Sequence, residues 1–346
     1  LQLAYLDVEF GKGHNALDYI TRAQALAPTS RDVLLHKGRL LMWQGHYLES
    51  ARHTKQLLEL YPEFIEGHIL QGRLLRAQGR IEDARQYFED ILKHRNSPDL
   101  HQQQGLLFMS LGLNEEAAAH FKIVHQDNWW ALKALFQRDY APYQEALEGK
   151  ITSYPGDVDL KIHAMKFAAR AGHDQSFKQL FRDVFPDHPT DIDAYDVHFA
   201  NLDVILMAAR FHAQTGARTT ALGLFHKALD FLDQQQFLKG WALYIRYAEV
   251  LAALGDEARA LGYLRQALLD GPMILYQPQW WGPGVYWEDN AGFQSLKDHA
   301  EFTALQDAVT ARQIELLHAA SAQADQRAVY SGCLLYTSPS PRDPSI

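Results

Sequence analysis

The chain has 346 residues, 47% of them hydrophobic and 22% charged, which is enough apolar material for buried cores and argues against a disordered chain. A net charge of -9 gives no general attraction to nucleic acid or an anionic membrane, and the single cysteine, Cys333, excludes an internal disulfide and a cysteine-based zinc site. No apolar run approaches the roughly 20 residues of a membrane span and no signal peptide is visible. The pattern opens inside a helix at Leu1, so the natural N-terminus is expected upstream.

Residues 1–126 carry a period of 34 residues. Gly11, Gly45 and Gly79 keep that spacing, as do Ala4, Gly38 and Gly72, then Ala16, Ser50 and Ala84, then Pro28 and Pro62. A fourth copy follows one residue short, with Gly105, Gly112, Ala117 and Phe121. The series has a mechanical meaning. Gly38, Gly72 and Gly105 let one helix approach its neighbour closely. Gly45, Gly79 and Gly112 end that helix with positive φ and open a tight turn. Ala16, Ala84 and Ala117 sit where the second helix crosses the first, and Phe88 and Phe121 lie one turn further along the same face. Each unit is a helix pair that leaves an apolar face for the next pair.

The segment ending LLHKGRLLMWQGHYLESARHTKQLLELYP at Pro62 and the segment Gly67 to Leu92, GHILQGRLLRAQGRIEDARQYFEDIL, resemble the tetratricopeptide repeat family. The resemblance covers Leu1 to about Val124. It implies an all-α, right-handed α-α superhelix of about eight helix hairpins. The chain departs from the family pattern at Asp7, Met42, Ser50 and Thr54, which weakens single contacts without changing the fold.

Residues 127–190 read as degenerate helix pairs. One runs from Trp129 to Tyr154 and is broken near Tyr140-Ala-Pro142. The other runs from Asp159 to Phe185, with Gly172 at its turn. Phe185 to Thr190, with two prolines, reads as an exposed hinge. In residues 191–270 the periodicity returns in a longer form, as Ala209, Gly216, Ala221, Phe225 and Ala228 recur as Ala248, Gly255, Ala260, Leu264 and Ala267 at a spacing of 39. Residues 271–331 are expected to form an aromatic cap over the last open helix face and a final helix from Glu301 to about Arg327. The motifs Phe293-Gln-Ser-Leu296 and Phe302-Thr-Ala-Leu305 resemble the closing segment of bacterial repeat proteins fused to cyclase, kinase-like or winged-helix effector domains, which implies an effector upstream in the same chain. Residues 332–346 resemble translated sequencing-adapter sequence and are expected to be artefactual or disordered.

No phosphate-binding loop, HExxH or GxSxG is present, so the segment is expected to be non-enzymatic and to hold no cofactor. The 17 histidines show no ligand spacing for zinc. Asp187, His188, Asp191 and Asp193 form the densest polar cluster and read as an exposed hinge. Glu82-Asp83, Glu115-Glu116 and Asp256-Glu257 follow tight turns and suit helix N-termini.

The family resemblance implies that the first helix of each pair lines a concave groove. Arg39 and Arg73, each directly after a close-packing glycine, share one repeat position. His36, Trp43 and Arg76 fall on nearby turns. These five residues are the expected binding set, suited to an acidic peptide or partner protein through paired hydrogen bonds from arginine. The family's chaperone-tail clamp uses a Lys/Asn pair, whereas this chain has Leu35 and Arg39, so that ligand is not carried over. The resulting expectation is a non-catalytic protein-interaction scaffold, cytoplasmic, with no nucleic-acid partner and no membrane insertion. The alternative is a sensory or regulatory segment of a larger signalling protein.

Overall fold

A computed structural model describes residues 13–124, 137–186, 196–235, 241–270 and 286–336. The fold is all-α, with helices arranged in pairs as a tetratricopeptide-like solenoid, and no β-sheet occurs among the described residues. In chain order the helices are α1 (Gly13–Leu26), α2 (Arg31–Trp43), α3 (Tyr47–Leu60), α4 (Ile65–Ala77), α5 (Ile81–Leu92), α6 (Pro98–Ser110) and α7 (Asn114–Val124). They continue as α8 (Ala141–Ser153), α9 (Val158–Ala171), α10 (Asp174–Val184), α11 (Phe199–Gln214), α12 (Arg218–Asp233), α13 (Trp241–Leu254), α14 (Glu257–Arg265) and α15 (Ala300–Tyr336). A π-helical turn, Gln266–Asp270, extends α14.

Six hairpins turn at the same kind of residue. Gly45, Gly79, Gly112, Gly172, Gly216 and Gly255 have φ of 79°, 74°, 74°, 74°, 92° and 82°. Open space surrounds Gly45 and Gly79, so glycine is required there by backbone conformation and not by crowding. Crowding governs the other series. A Cβ on Gly72 would lie 2.1 Å from Phe88 Cζ, and one on Gly105 would lie 2.8 Å from Phe121 Cε2. Ala84 and Ala117, at the helix crossings, are fully buried.

Ser50 departs from the alanine of the pattern, and its hydroxyl donates to the Gly38 carbonyl at 2.6 Å. Thr54, also buried, donates to the Ser50 carbonyl at 2.8 Å. These polar substitutions are satisfied inside the crossing and therefore do not open it. The acidic pairs behave as helix starts: Glu82 and Asp83 occupy the first turn of α5, Glu115 and Glu116 that of α7, and the Asp256 side chain accepts from the Arg259 backbone N–H.

The closing segment caps the last hairpin. Trp287, Phe293, Leu296, Phe302 and Leu305 pack on Leu251, Leu264 and Leu268 of α13, α14 and the π turn. From there α15 runs back to the N-terminal array, where Leu316 and Leu317 pack beside Ile81, Leu107 and Leu111. Arg138 pairs with Glu288, and the Tyr140 hydroxyl donates to Asp289 at 2.7 Å, adding a second tie. The final helix reaches Tyr336, past the end expected near Arg327, so the first residues of the 332–346 segment continue α15 instead of forming a tail. The hinge at 187–190, the Asp187/His188/Asp191/Asp193 cluster, Gly11, Trp129 and the aromatic run 271–285 lie outside the described residues.

Candidate functional site

Arg39 on α2 and Arg73 on α4 each stand six residues before a turn glycine, which puts them at one repeat position. The structure brings them within electrostatic range of each other. Burial, then the neighbouring Arg39, pulls Arg73 down to about 10, while Asp99 opposes the shift. Arg76, one turn on, is likewise lowered to about 10 by burial and by Arg73. Arg73 Nε donates to Gln103 Oε1 of the next hairpin at 3.1 Å.

Among the described residues, no carboxylate forms an ion pair with Arg39, Arg73 or Arg76. Two nearby acids are engaged elsewhere, Glu59 with Lys55 and Asp83 with Arg80, while Asp99 acts on Arg73 without forming an ion pair. The result is a row of three partly buried guanidinium groups that repel one another. His36 is half-buried beside this row, and burial followed by Arg39 lowers its pKa. Trp43 is placed differently from the other four. It packs against Ala16, Ile20 and Leu40, and so belongs largely to the core between α1 and α2.

The same repeat position continues beyond the regular array. Six residues before Gly172, Gly216 and Gly255 stand Lys166, Arg210 and Glu249, and all three line one cavity of about 390 Å3. It lies between α9, α11, α13 and the turn Ala291–Leu296. Here the cations meet acids. Asp203 lies 2.6 Å from Arg246, 3.4 Å from Lys166 and 3.5 Å from Arg170. Burial would raise its pKa, but Arg246, Arg170 and Lys166 overcome that and hold it at about 2. Glu249 pairs with Arg246 at 2.6 Å and accepts from Asn290 Nδ2 at 2.8 Å. Sequence reasoning missed this cluster. The available signal was the shared offset from the turn glycines.

Two histidines that look unrelated in sequence also meet. His101 Nδ1 and His120 Nδ1 are 2.8 Å apart on adjacent helices α6 and α7. Burial, then His101, lowers His120 to about 4. Among the described residues, no group of three or more His, Cys, Asp or Glu could hold a metal ion, and no helix is long and apolar enough to cross a membrane.

The paired helices, repeated turn glycines and close-packing glycines define a class: a helical-hairpin repeat. A family model described as "Tetratricopeptide repeat" matches residues 35–101 and 69–128. The match covers the regular N-terminal array and makes these residues similar to tetratricopeptide repeats. Among solved structures, a tetratricopeptide repeat protein from Parabacteroides merdae is similar at 13% identity, covering 68% of this chain and 91% of its own, with a TM-score of 0.36. No curated protein matches the chain.

Proposed function

We propose that the N-terminal array is a scaffold surface that binds an extended acidic segment of a partner protein along Arg39, Arg73 and Arg76, with His36 beside them. The observation that carries this reading is the absence, among the described residues, of any carboxylate paired with the three guanidinium groups. Charges gathered on a partly buried surface without ion-paired carboxylates, with Asp99 acting on Arg73 only from beyond ion-pair distance, are unfavourable in the free protein and are relieved by an anionic partner. Arginine suits the role because its planar fork meets a carboxylate with two hydrogen bonds. Trp43 contributes at the margin through whatever part of its ring the core leaves exposed.

The test is a peptide library of alternating acidic and apolar residues, with glutamine counterparts, measured against the wild type and the Arg39→Ala/Arg73→Ala variant. The acidic peptides should bind and the glutamine ones should not. The double variant should lose roughly tenfold or more in affinity with its helicity unchanged. Equal binding of the two peptide sets, or by the two proteins, would end the reading.

A second reading rests on the closing motif, whose Phe293, Leu296, Phe302 and Leu305 are all buried in the cap. In this reading the chain is the sensory or regulatory segment of a larger signalling protein with an upstream effector domain. The complete upstream reading frame decides it.

A further inference from the structure

Among the described residues, the charges around the C-terminal cavity do not balance. Lys166, Arg170, Arg210 and Arg246 line it with four positive charges, and Asp203 and Glu249 supply two negative ones. Asp174 approaches Arg210 at 3.6 Å from the rim with half of its own side chain exposed, which leaves one positive charge in excess. The four cations are not equally committed. Arg246 grips Asp203 and Glu249 at 2.6 Å each. Arg170 reaches the same two acids only at 3.5 and 4.0 Å, and Arg210 reaches Asp174 only at 3.6 Å, distances longer than direct hydrogen bonds. Arg170 and Arg210 thus keep donor capacity in a place where burial already disfavours their charge.

Beside the polar Gln214, Asn290 and Ser295, the wall has an apolar stretch formed by Leu206, Met207, Phe225 and Ala252. A volume of about 390 Å3 falls in the range of small-ligand pockets, roughly 300–1,000 Å3. One surplus positive charge calls for one negative charge, and the apolar wall calls for an apolar body to cover it.

We propose that this cavity binds a small amphipathic monocarboxylic acid, with Arg170 and Arg210 holding the carboxylate and Leu206, Met207 and Phe225 covering the apolar body. The site is separate from the Arg39/Arg73 row and stands or falls independently of it.

The experiment titrates the full chain calorimetrically with octanoate and with 4-phenylbutyrate, each beside the neutral amide of the same body. At least one acid should bind, and its amide should bind roughly tenfold or more weakly. Arg210→Met should bring that acid down to the level of its amide. Leu206→Trp, which fills the apolar wall and leaves every charge in place, should weaken acid and amide together. This second variant keeps the test decisive if Arg210→Met proves poorly folded by circular dichroism. No binding of either acid at millimolar concentration, equal binding of acid and amide, or full affinity in a folded Arg210→Met or Leu206→Trp variant would overturn the proposal. So would binding of an acidic peptide by a protein that ignores both small acids, since the carboxylate would then belong to a polypeptide.

Discussion

The two ends of this solenoid use one repeat position in opposite ways. In the N-terminal array the residue six before the turn glycine is Arg39 and then Arg73, and neither meets a carboxylate among the described residues. In the C-terminal array the same offset gives Lys166, Arg210 and Glu249, and Asp203 joins from α11 to tie three cations together. Helix packing fixes where a side chain goes in both halves. Whether that side chain becomes structure or available surface depends on its counter-charge. Where cations lack acids, removing them costs the fold little. Where they are knotted to acids, removing one acid exposes several buried charges.

The largest expected effect follows directly. Asp203→Ala leaves Arg246, Arg170 and Lys166 buried around Glu249 alone, and breaking such a pair typically costs about 3–5 kcal/mol. Urea denaturation measures it. A loss below about 1 kcal/mol, the range of an exposed pair, would show that the cavity is wetter than its geometry implies.

Gly72→Leu comes next, because Phe88 occupies the space a side chain would need, and overpacking costs about 1–3 kcal/mol. Gly79→Ala provides the internal contrast. Nothing lies within 4 Å of its Cβ position, so only the positive φ opposes it, at about 1 kcal/mol. Equal effects of Gly72→Leu and an exposed loop substitution would refute the crossing geometry.

That pair also shows what was legible in the sequence. Gly38, Gly72 and Gly105 announce close helix contact because no other residue type is as small, and the turn glycines announce themselves by spacing. The charge network was not legible in the same way. Asp203, Arg246 and Arg170 come from three helices, and the turn glycines that would align them are 60, 44 and 39 residues apart instead of 34. Trp43 carries the opposite lesson: an aromatic at groove-side spacing can equally turn along its helix and pack on α1. His101 and His120 meet through the crossing of α6 and α7, which no local spacing reveals.

Acid should separate the two halves by pH window. The folded pKa of His120, about 4, lies below its ordinary 6.5, so its contribution is complete above pH 6.5 and is lost as pH falls towards 4. Asp203 is depressed from 3.8 to about 2, so its contribution survives to near pH 4 and is lost below that. Hydrogen exchange, corrected for intrinsic rates, should therefore rise in α6 and α7 between pH 6.5 and 4, and in α11 and α13 only below pH 4. His120→Phe should flatten the first response and leave the second. A simultaneous rise in both regions would mean that the arrays unfold as one unit.

The smallest stability effect is expected where the largest binding effect lies. Arg39→Ala removes a cation that has no ion pair to lose among the described residues, and it relieves the repulsion that Arg73 feels. Arg73→Ala gives up one hydrogen bond to Gln103, worth about 0.5–1.5 kcal/mol, and loses the same repulsion in return. The double variant should therefore melt within a few degrees of the wild type, and its deficit should shrink as salt is lowered, because screening weakens the repulsion that the substitution removes. Asp203→Ala must behave in the opposite sense, with its deficit growing at low salt, since it creates unscreened repulsion among Arg170, Arg246 and Lys166. Thermal melts of the two variants across a salt series test the comparison with one instrument. Opposite salt slopes would establish that the arrays carry the same cations in opposite electrostatic states. Parallel slopes would mean that the N-terminal arginines have counter-charges after all, and that the row on α2 and α4 is built for packing.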